Sequence, residues 1–319
     1  MKPVVVVYNR LYEEALEYIR ASCDVHYFPG YKENYLEFME ALKTADGLIG
    51  SGLKVDEDFL DQAPNLKIIA NKSVGYDNLD IPLLKKRGIR AANTPGVLND
   101  TVADTIMALM LAAARRVPEL DQFVKTGGWT ENGFKDHQFG VDVHHKTLGI
   151  IGMGGIGSTL AKRAHFGFDM NILYHNRSRN EQAENTYKAV YCQMEELLEQ
   201  SDFVCVMTPL TPQTKGMIGK HEFTRMKNTA IFINASRGPV IDESALIEAL
   251  QKKQILAAGL DVFKEEPVER ENRLLLMPNV VTLPHIGSAT EETRKKMAML
   301  AAENVVAGVT GGQLKTPIF

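Results

Sequence analysis

Short β-branched and apolar runs alternate with longer stretches whose apolar positions recur at helical spacing, over nearly the whole chain. That alternation predicts parallel strands joined by helical crossovers, an α/β protein. In the first third the pattern predicts strands over Pro3–Tyr8, Asp24–Phe28, Gly47–Gly50, Leu66–Ala70 and Arg90–Asn93. Helices are predicted over Tyr12–Ala21, with Ala15, Leu16 and Ile19 on one face, and over Leu36–Lys43. A second run begins near Asn99, where Asn99, Asp100 and Thr101 offer N-caps to an apolar helix Val102–Arg115, closed by Pro118. Strands follow over Thr147–Ile151, Asn171–Tyr174, Phe203–Met207, Ala230–Asn234, Ala258–Val262 and Val280–Leu283. After Pro284, Thr290–Gly308 reads as a long helix with an alanine and methionine face that crosses back to the first domain. The reading is two doubly wound parallel-sheet domains, one over residues 1–98 and 288–319 and one over 99–287.

Length and composition agree with this organisation and narrow the function. A chain of 319 residues suits two domains, and 45% hydrophobic with 24% charged residues is an ordinary globular balance. A formal charge of −4 argues against sequence-independent nucleic-acid binding and against an anionic membrane surface as partner. Cys23, Cys192 and Cys205 lack CxxC spacing and are an odd number, so they read as reduced structural thiols, with neither a disulfide framework nor a metal site. The N-terminal apolar run is four valines, without a cleavage pattern, and no stretch approaches the ~20 apolar residues of a membrane span. A cytoplasmic location is expected.

The first chemical signal lies where the predicted strand Thr147–Ile151 runs into Gly152-Met153-Gly154-Gly155-Ile156-Gly157, which opens a helix. In this context GxGxxG reads as a dinucleotide loop. Gly152 permits the tight turn, Gly154 lets the backbone approach a pyrophosphate, Gly157 allows close helix packing, and the helix N-terminus supplies N–H groups. About 20 residues further on, NAD enzymes place an acid against the ribose 2′-hydroxyl. Here the positions are Asn176-Arg177-Ser178-Arg179, with two guanidiniums suited to a phosphate and no acid to repel it. NADP(H) is therefore the expected cofactor, with NAD(H) also admitted.

Three later segments carry side chains that strand-end loops would aim at a nicotinamide: Ile233–Pro239 with Arg237, Gly259–Pro267 with Asp261 and Glu266, and Leu283–Thr290 with His285. Reducing a 2-keto acid needs a cation to anchor the carboxylate and polarise the carbonyl, and a proton donor for its oxygen. Arg237 and His285 have that chemistry. Glu266 can orient the imidazole and favour its charged form. All three fall at carboxyl ends of strands in one predicted sheet, the edge where open α/β sheets bind ligands.

With these residues in view, the chain resembles the D-isomer-specific 2-hydroxyacid dehydrogenase family, in its glyoxylate/hydroxypyruvate reductase and 2-ketogluconate reductase branch. The likeness covers essentially the whole chain. It rests on the glycine loop, Asn71–Asp80, Ala92–Leu98, Thr208–Pro212 and the three segments above; the Arg237 to Glu266 spacing, 266 − 237 = 29, also agrees. The resemblance implies Arg237, Glu266 and His285 as the catalytic set, and Leu53, Val74 and Gly75 as substrate contacts, the last two through backbone N–H groups to the carboxylate. It implies cofactor contacts from Gly154, Gly155, Ile156, Gly157, Asn176, Arg177, Ser178, Arg179, Thr208, Pro209, Ala235, Ser236, Asp261 and Gly287, with Asp261 holding the nicotinamide carboxamide. The implied fold is a Rossmann domain inserted into a flavodoxin-like substrate domain, and the implied assembly is a homodimer.

The implied activity is NADPH-preferring reduction of glyoxylate, hydroxypyruvate or 2-ketogluconate to the D-2-hydroxy acid. Two alternatives stand beside it: a D-3-phosphoglycerate dehydrogenase-like activity, often tied to an added regulatory domain, and a non-enzymatic nucleotide-sensing role. Adjacent His144 and His145 point in different directions without a carboxylate cluster, so no metal is expected there. The polar segment Gly127–Lys146 is read as an excursion used in dimerisation, and Trp129 either reaches a neighbouring subunit's cleft or packs locally.

Overall fold

The computed structural model describes residues 1–133 and 135–319. The chain divides into two compact units, one from Met1–Leu98 with Ser288–Phe319 and one from Asn99–Gly287. The first unit holds a five-stranded parallel sheet of β1 (Val4–Val7), β2 (Asp24–Tyr27), β3 (Gly47–Gly50), β4 (Ile68–Asn71) and β5 (Arg90–Ala92), in the order β2-β1-β3-β4-β5. This is the flavodoxin-like strand order.

The run of valines in β1 is apolar at every position because both faces of this sheet are covered. Val6 joins Tyr8, Phe38, Leu42, Leu48 and Ile69 on one side, while Val5 and Val7 join Leu16, Ile19, Ile49 and Ile68 on the other. Successive strand side chains point to opposite faces, so a continuous apolar run is what a doubly covered strand needs. The long helix Glu291–Thr310 packs on the second of these faces through Ala298, Ala301, Ala302 and Val305. It is capped by the Thr290 hydroxyl, which accepts from the Thr293 N–H, and it ends at Gly311 with φ 81°.

The second unit holds a seven-stranded parallel sheet: β6 (Thr147–Ile151), β7 (Asn171–His175), β8 (Val190–Tyr191), β9 (Phe203–Val206), β10 (Ile231–Asn234), β11 (Ala257–Leu260) and β12 (Val280–Thr282). Its order is β12-β11-β10-β9-β6-β7-β8, so the chain reverses direction of growth between β6 and β9. Ligands of such sheets bind at that switch point, outside the carboxyl ends of the strands.

Two details of the second unit differ from the sequence expectation. Asn99, Asp100 and Thr101 lie inside the helix Asn99–Arg115 rather than capping it, and Asp100 pairs with Arg163 of the helix Gly155–Phe168 at 3.0 Å. Pro118 does not close that helix. Arg116 does, turning left-handed at φ 55°, and Pro118 sits in the first turn of the next helix, Val117–Lys125, where a missing N–H costs nothing. This second helix buries none of its residues; Val117 and Val124 are exposed, as are Trp129 and Phe139 beyond it. Within Gly127–Lys146, Phe134 lies outside the described residues. His144 and His145 stand edge to face at 4.9 Å, and His144 lies 3.7 Å from Asp142. No helix among the described residues is long and apolar enough to cross a membrane.

Candidate active site

The glycine loop fills the turn from β6 into the helix Gly155–Phe168. Gly152 has φ 106°, and a Cβ there would stand 2.8 Å from the Met207 carbonyl, so the turn takes no side chain. A Cβ at Gly157 would come 2.3 Å from the Gly152 oxygen, which lets the helix start directly beneath the strand. Gly154 is the N-cap, and nothing stands within 4 Å of where its side chain would be. Its surroundings are open for a ligand to meet the unpaired N–H groups of the helix start. Gly155 and Ile156 provide the next of these. Thr208 and Pro209 follow β9 across the switch point, where the Pro209 carbonyl accepts from Thr214 at 2.6 Å. This cradle suits a dinucleotide pyrophosphate.

After β7, the basic turn is less uniform than its sequence suggested. Arg177 is exposed, with no partner among the described residues. Arg179 instead forms a two-pronged pair with Glu184, Nη2 to Oε2 at 2.6 Å and Nε to Oε1 at 3.0 Å. Glu184 also accepts from the Tyr174 hydroxyl at 2.6 Å, and its hydrogen bonds with Arg179 and Tyr174 hold it below the usual carboxylate range. An acid therefore does stand beside this turn, placed there by the helix Glu181–Tyr187, although no acid lies in the four-residue motif itself. Asn176 and Ser178 occupy the same turn.

Arg237, Glu266 and His285 leave the carboxyl ends of β10, β11 and β12. Asn234, fully buried at the end of β10, accepts from the Ser236 N–H at 3.1 Å and its hydroxyl at 2.9 Å, and donates to the Arg237 carbonyl at 3.1 Å. Ala235 and Ser236 are thereby fixed in a tight turn that presents Arg237. Gly238 follows, and a Cβ there would overlap the Phe263 carbonyl carbon at 1.9 Å, so the Arg237 turn rests directly on the backbone leading to Glu266.

His285 Nδ1 lies 2.7 Å from Glu266 Oε2. An ionised carboxylate only accepts, so Nδ1 carries the proton of this bond and Nε2 is the outward nitrogen. The other oxygen of Glu266 accepts from the Phe263 N–H at 3.1 Å. Burial pushes the Glu266 carboxyl up, but the bonds from His285 and Phe263 and the charges of His285 and Arg237 outweigh it and hold the group below its ordinary range. His285 itself has φ 55°, a strained conformation for a histidine that its surroundings must enforce.

Asp261 supplies part of that enforcement. Its carboxylate, buried at the end of β11, accepts from the Ile286 N–H at 2.7 Å and the Gly287 N–H at 2.8 Å. Burial raises its pKa, and these two bonds oppose the rise. The sequence reading gives Asp261 to the nicotinamide carboxamide; here each of its oxygens accepts one N–H of the loop bearing His285. Asn234 and Gly238 were missed as site residues.

In the first unit, the turn after β4 is tied by Asn71, whose side chain donates to the Gly75 carbonyl at 2.8 Å, and by Asn93, which donates to the Val74 carbonyl at 2.7 Å. The carbonyls are occupied, and among the described residues the N–H groups of Val74 and Gly75 donate to nothing else. Leu53 follows β3, its carbonyl bonded to Asn78 at 2.8 Å.

Residues 107–287 match the model of the D-isomer specific 2-hydroxyacid dehydrogenase, NAD binding domain. The chain is 51% identical to glyoxylate/hydroxypyruvate reductase B of Yersinia pestis (strain Pestoides F), over 98% of this chain and 95% of that protein. Among solved structures it is similar to the TT0316 protein from Thermus thermophilus, with 37% identity, a TM-score of 0.90, and coverage of 99% and 100% of the two chains. It is also similar to the NADPH-dependent glyoxylate/hydroxypyruvate reductase from Sinorhizobium meliloti in complex with NADP and malonate, with 31% identity, a TM-score of 0.89, and coverage of 100% and 97%. The glycine cradle, the strand-end residues and these likenesses agree, and the chain belongs to the D-isomer-specific 2-hydroxyacid dehydrogenase family.

Proposed function

We propose that this enzyme reduces a small 2-keto acid, glyoxylate or hydroxypyruvate in the first place and 2-ketogluconate as a longer candidate, to the D-2-hydroxy acid, and that it prefers NADPH to NADH. The observation that carries the reading is the 2.7 Å bond between His285 and Glu266, with the charge of Arg237 acting on the same carboxylate, on the sheet edge that also bears the glycine loop. When bound, the nicotinamide supplies a hydride. His285 gives a proton from Nε2 to the substrate's carbonyl oxygen, and Glu266 holds the ring and offsets its positive charge. Arg237 binds the carboxylate and draws electron density from the carbonyl. In the other unit the N–H groups of Val74 and Gly75, which donate to nothing among the described residues, are by themselves suited to a carboxylate, and Leu53 is proposed as an apolar substrate contact.

NADPH preference is supported by the exposed Arg177, which has no partner among the described residues, with Arg179 as a second cation once it turns from Glu184. Homodimer formation is supported by the helix Val117–Lys125, whose Val117 and Val124 lie exposed. The experiment is a matrix of initial rates with NADPH and NADH against glyoxylate, hydroxypyruvate and 2-ketogluconate, with sedimentation to read the assembly. Rapid NADPH-dependent turnover of one of the three supports the reading. Nucleotide binding without turnover of any would refute it and favour a sensing role.

A further inference from the structure

The two N–H groups proposed to bind the substrate carboxylate belong to the peptide joining Ser73 to Val74 and the one joining Val74 to Gly75. In a trans peptide the carbonyl and the N–H point in opposite directions within one rigid plane, so whatever holds the carbonyl also aims the N–H. The Ser73 carbonyl accepts from the Thr94 N–H at 3.0 Å, and the Val74 carbonyl accepts from the Asn93 side chain at 2.7 Å. Two consecutive residues after β5 therefore hold both donors from behind, and the same bonds polarise each peptide toward a stronger donor.

Asn93 is in turn gripped at both polar groups of its own backbone by one residue. Its N–H donates to the Thr316 carbonyl at 3.3 Å, and its carbonyl accepts from the Thr316 hydroxyl at 2.6 Å. Thr316 lies in the segment after the helix Glu291–Thr310, which meets β5 in antiparallel fashion, with Ala92 opposite Pro317 and the Ile318 N–H on the Ala91 carbonyl at 2.9 Å. Asn304, fully buried in that helix, anchors the segment. Its side-chain oxygen accepts from the Lys315 and Thr316 N–H groups at 2.9 and 3.1 Å, and its amide donates to the Thr316 hydroxyl at 2.9 Å. That hydroxyl, with one donor and one acceptor partner, links the helix to the turn.

We infer that Asn93 and Thr316 are positioning residues for the substrate carboxylate: Asn93 aims the Gly75 N–H through the Val74 carbonyl, and Thr316 sets Asn93. The inference rests on the proposed 2-keto acid reductase reading. Both residues belong to the first unit, whereas Arg237, Glu266 and His285 belong to the second. The carboxylate keeps its charge throughout the reduction, so loss of aim weakens binding and leaves the chemical step alone.

The test reads KM for glyoxylate and hydroxypyruvate, and Ki for oxalate, a non-reacting carboxylate probe. Thr316→Val, similar in shape but without the hydroxyl, should raise KM and Ki together by about 3- to 10-fold, the net loss of one hydrogen bond, with kcat within about twofold and nucleotide affinity unchanged. Thr316→Ser, which keeps the hydroxyl, should restore most of the loss. Asn93→Ala should cost about 10- to 100-fold in the same constants. Thermal melts show which variants fold, and Thr316→Val carries the test if Asn93→Ala does not. Unchanged KM and Ki in the folded variants, a loss confined to kcat or nucleotide affinity, or equal losses in Thr316→Ser and Thr316→Val overturns the inference. A wild-type enzyme that reduces no 2-keto acid overturns the parent reading instead; one that turns over while the folded variants match it overturns the inference alone.

Discussion

Cofactor choice offers the sharpest check on the site, because Arg177 and Arg179, two residues apart, have different surroundings. Arg177 has no partner among the described residues, whereas Arg179 is held by Glu184 through two bonds. A phosphate on the adenosine ribose would therefore find Arg177 ready and Arg179 half-neutralised. Replacing Arg177 with alanine removes one charge-assisted contact to phosphate, about 1.5–3 kcal/mol, or roughly 10- to 150-fold in KM for NADPH. NADH carries no such phosphate, so its KM should move less than about twofold. Arg179→Ala should cost less for NADPH than Arg177→Ala, and Glu184→Gln should lower the KM for NADPH by releasing Arg179. The assay is steady-state kinetics of both nicotinamides at fixed, saturating keto acid, with direct nucleotide titration to separate binding from turnover. If Arg177→Ala weakens NADPH and NADH equally, the residue serves the turn rather than the phosphate; if it alters neither, the basis for NADPH preference is gone.

Other expectations follow from neighbouring geometry. Gly238→Ala would drive the backbone at Phe263 aside and displace Glu266; a shift on the order of 1 Å should lower kcat by about 100-fold, and unchanged kcat in the folded variant would contradict the packing argument. Glu266 has a depressed pKa in the folded state, so the stability it contributes is present above its unfolded value and disappears as pH falls through the folded one. Glu266→Gln should accordingly flatten stability against acid pH in denaturant titrations, and should lower kcat because a neutral amide offsets none of the charge on the ring it holds; an unchanged kcat with a stability profile superposable on the wild type would remove Glu266 from its role. Lys72 has the opposite sign: burial brings its folded value to about 8, below the unfolded 10.5, so its cost is full below pH 8 and fades as pH rises toward 10.5. Lys72→Met should stabilise the protein at pH 7 by about 1–3 kcal/mol, allowing for screening, with the gap closing near pH 10; a lower melting temperature at pH 7 would refute this.

The architecture was legible because periodicity survives burial. The valines of β1 and the apolar run of β6 announce strands covered on both faces, and the glycine loop reads correctly because its turn and helix start are local properties of a few residues. Where the reading slipped, a longer-range competitor was responsible. A two-residue strand such as β8 is too short to leave a pattern, and Pro118, read as a helix stop, proved compatible with a helix start once Arg116 had turned left-handed. The chemistry at the strand ends was legible as residue types: Arg237, Glu266 and His285 each follow the strand predicted to carry them.

What the sequence could not display was who holds whom. Asn234 and Asn71 are buried amides whose bonds shape the turns beside them, yet an asparagine at the end of an apolar run looks like any loop residue. Glu184 lies beyond the basic motif and returns beside Arg179 only because a helix intervenes. Lys72 is the strongest case. In a polar stretch between a strand and a glycine, a lysine reads as solvated, and its significance depends on a strand order in which β1 and β4 flank β3. That order lets a residue whose backbone N–H meets the Gly50 carbonyl carry its ammonium across β3 to the carbonyl of Arg10, a contact no sequence pattern displays.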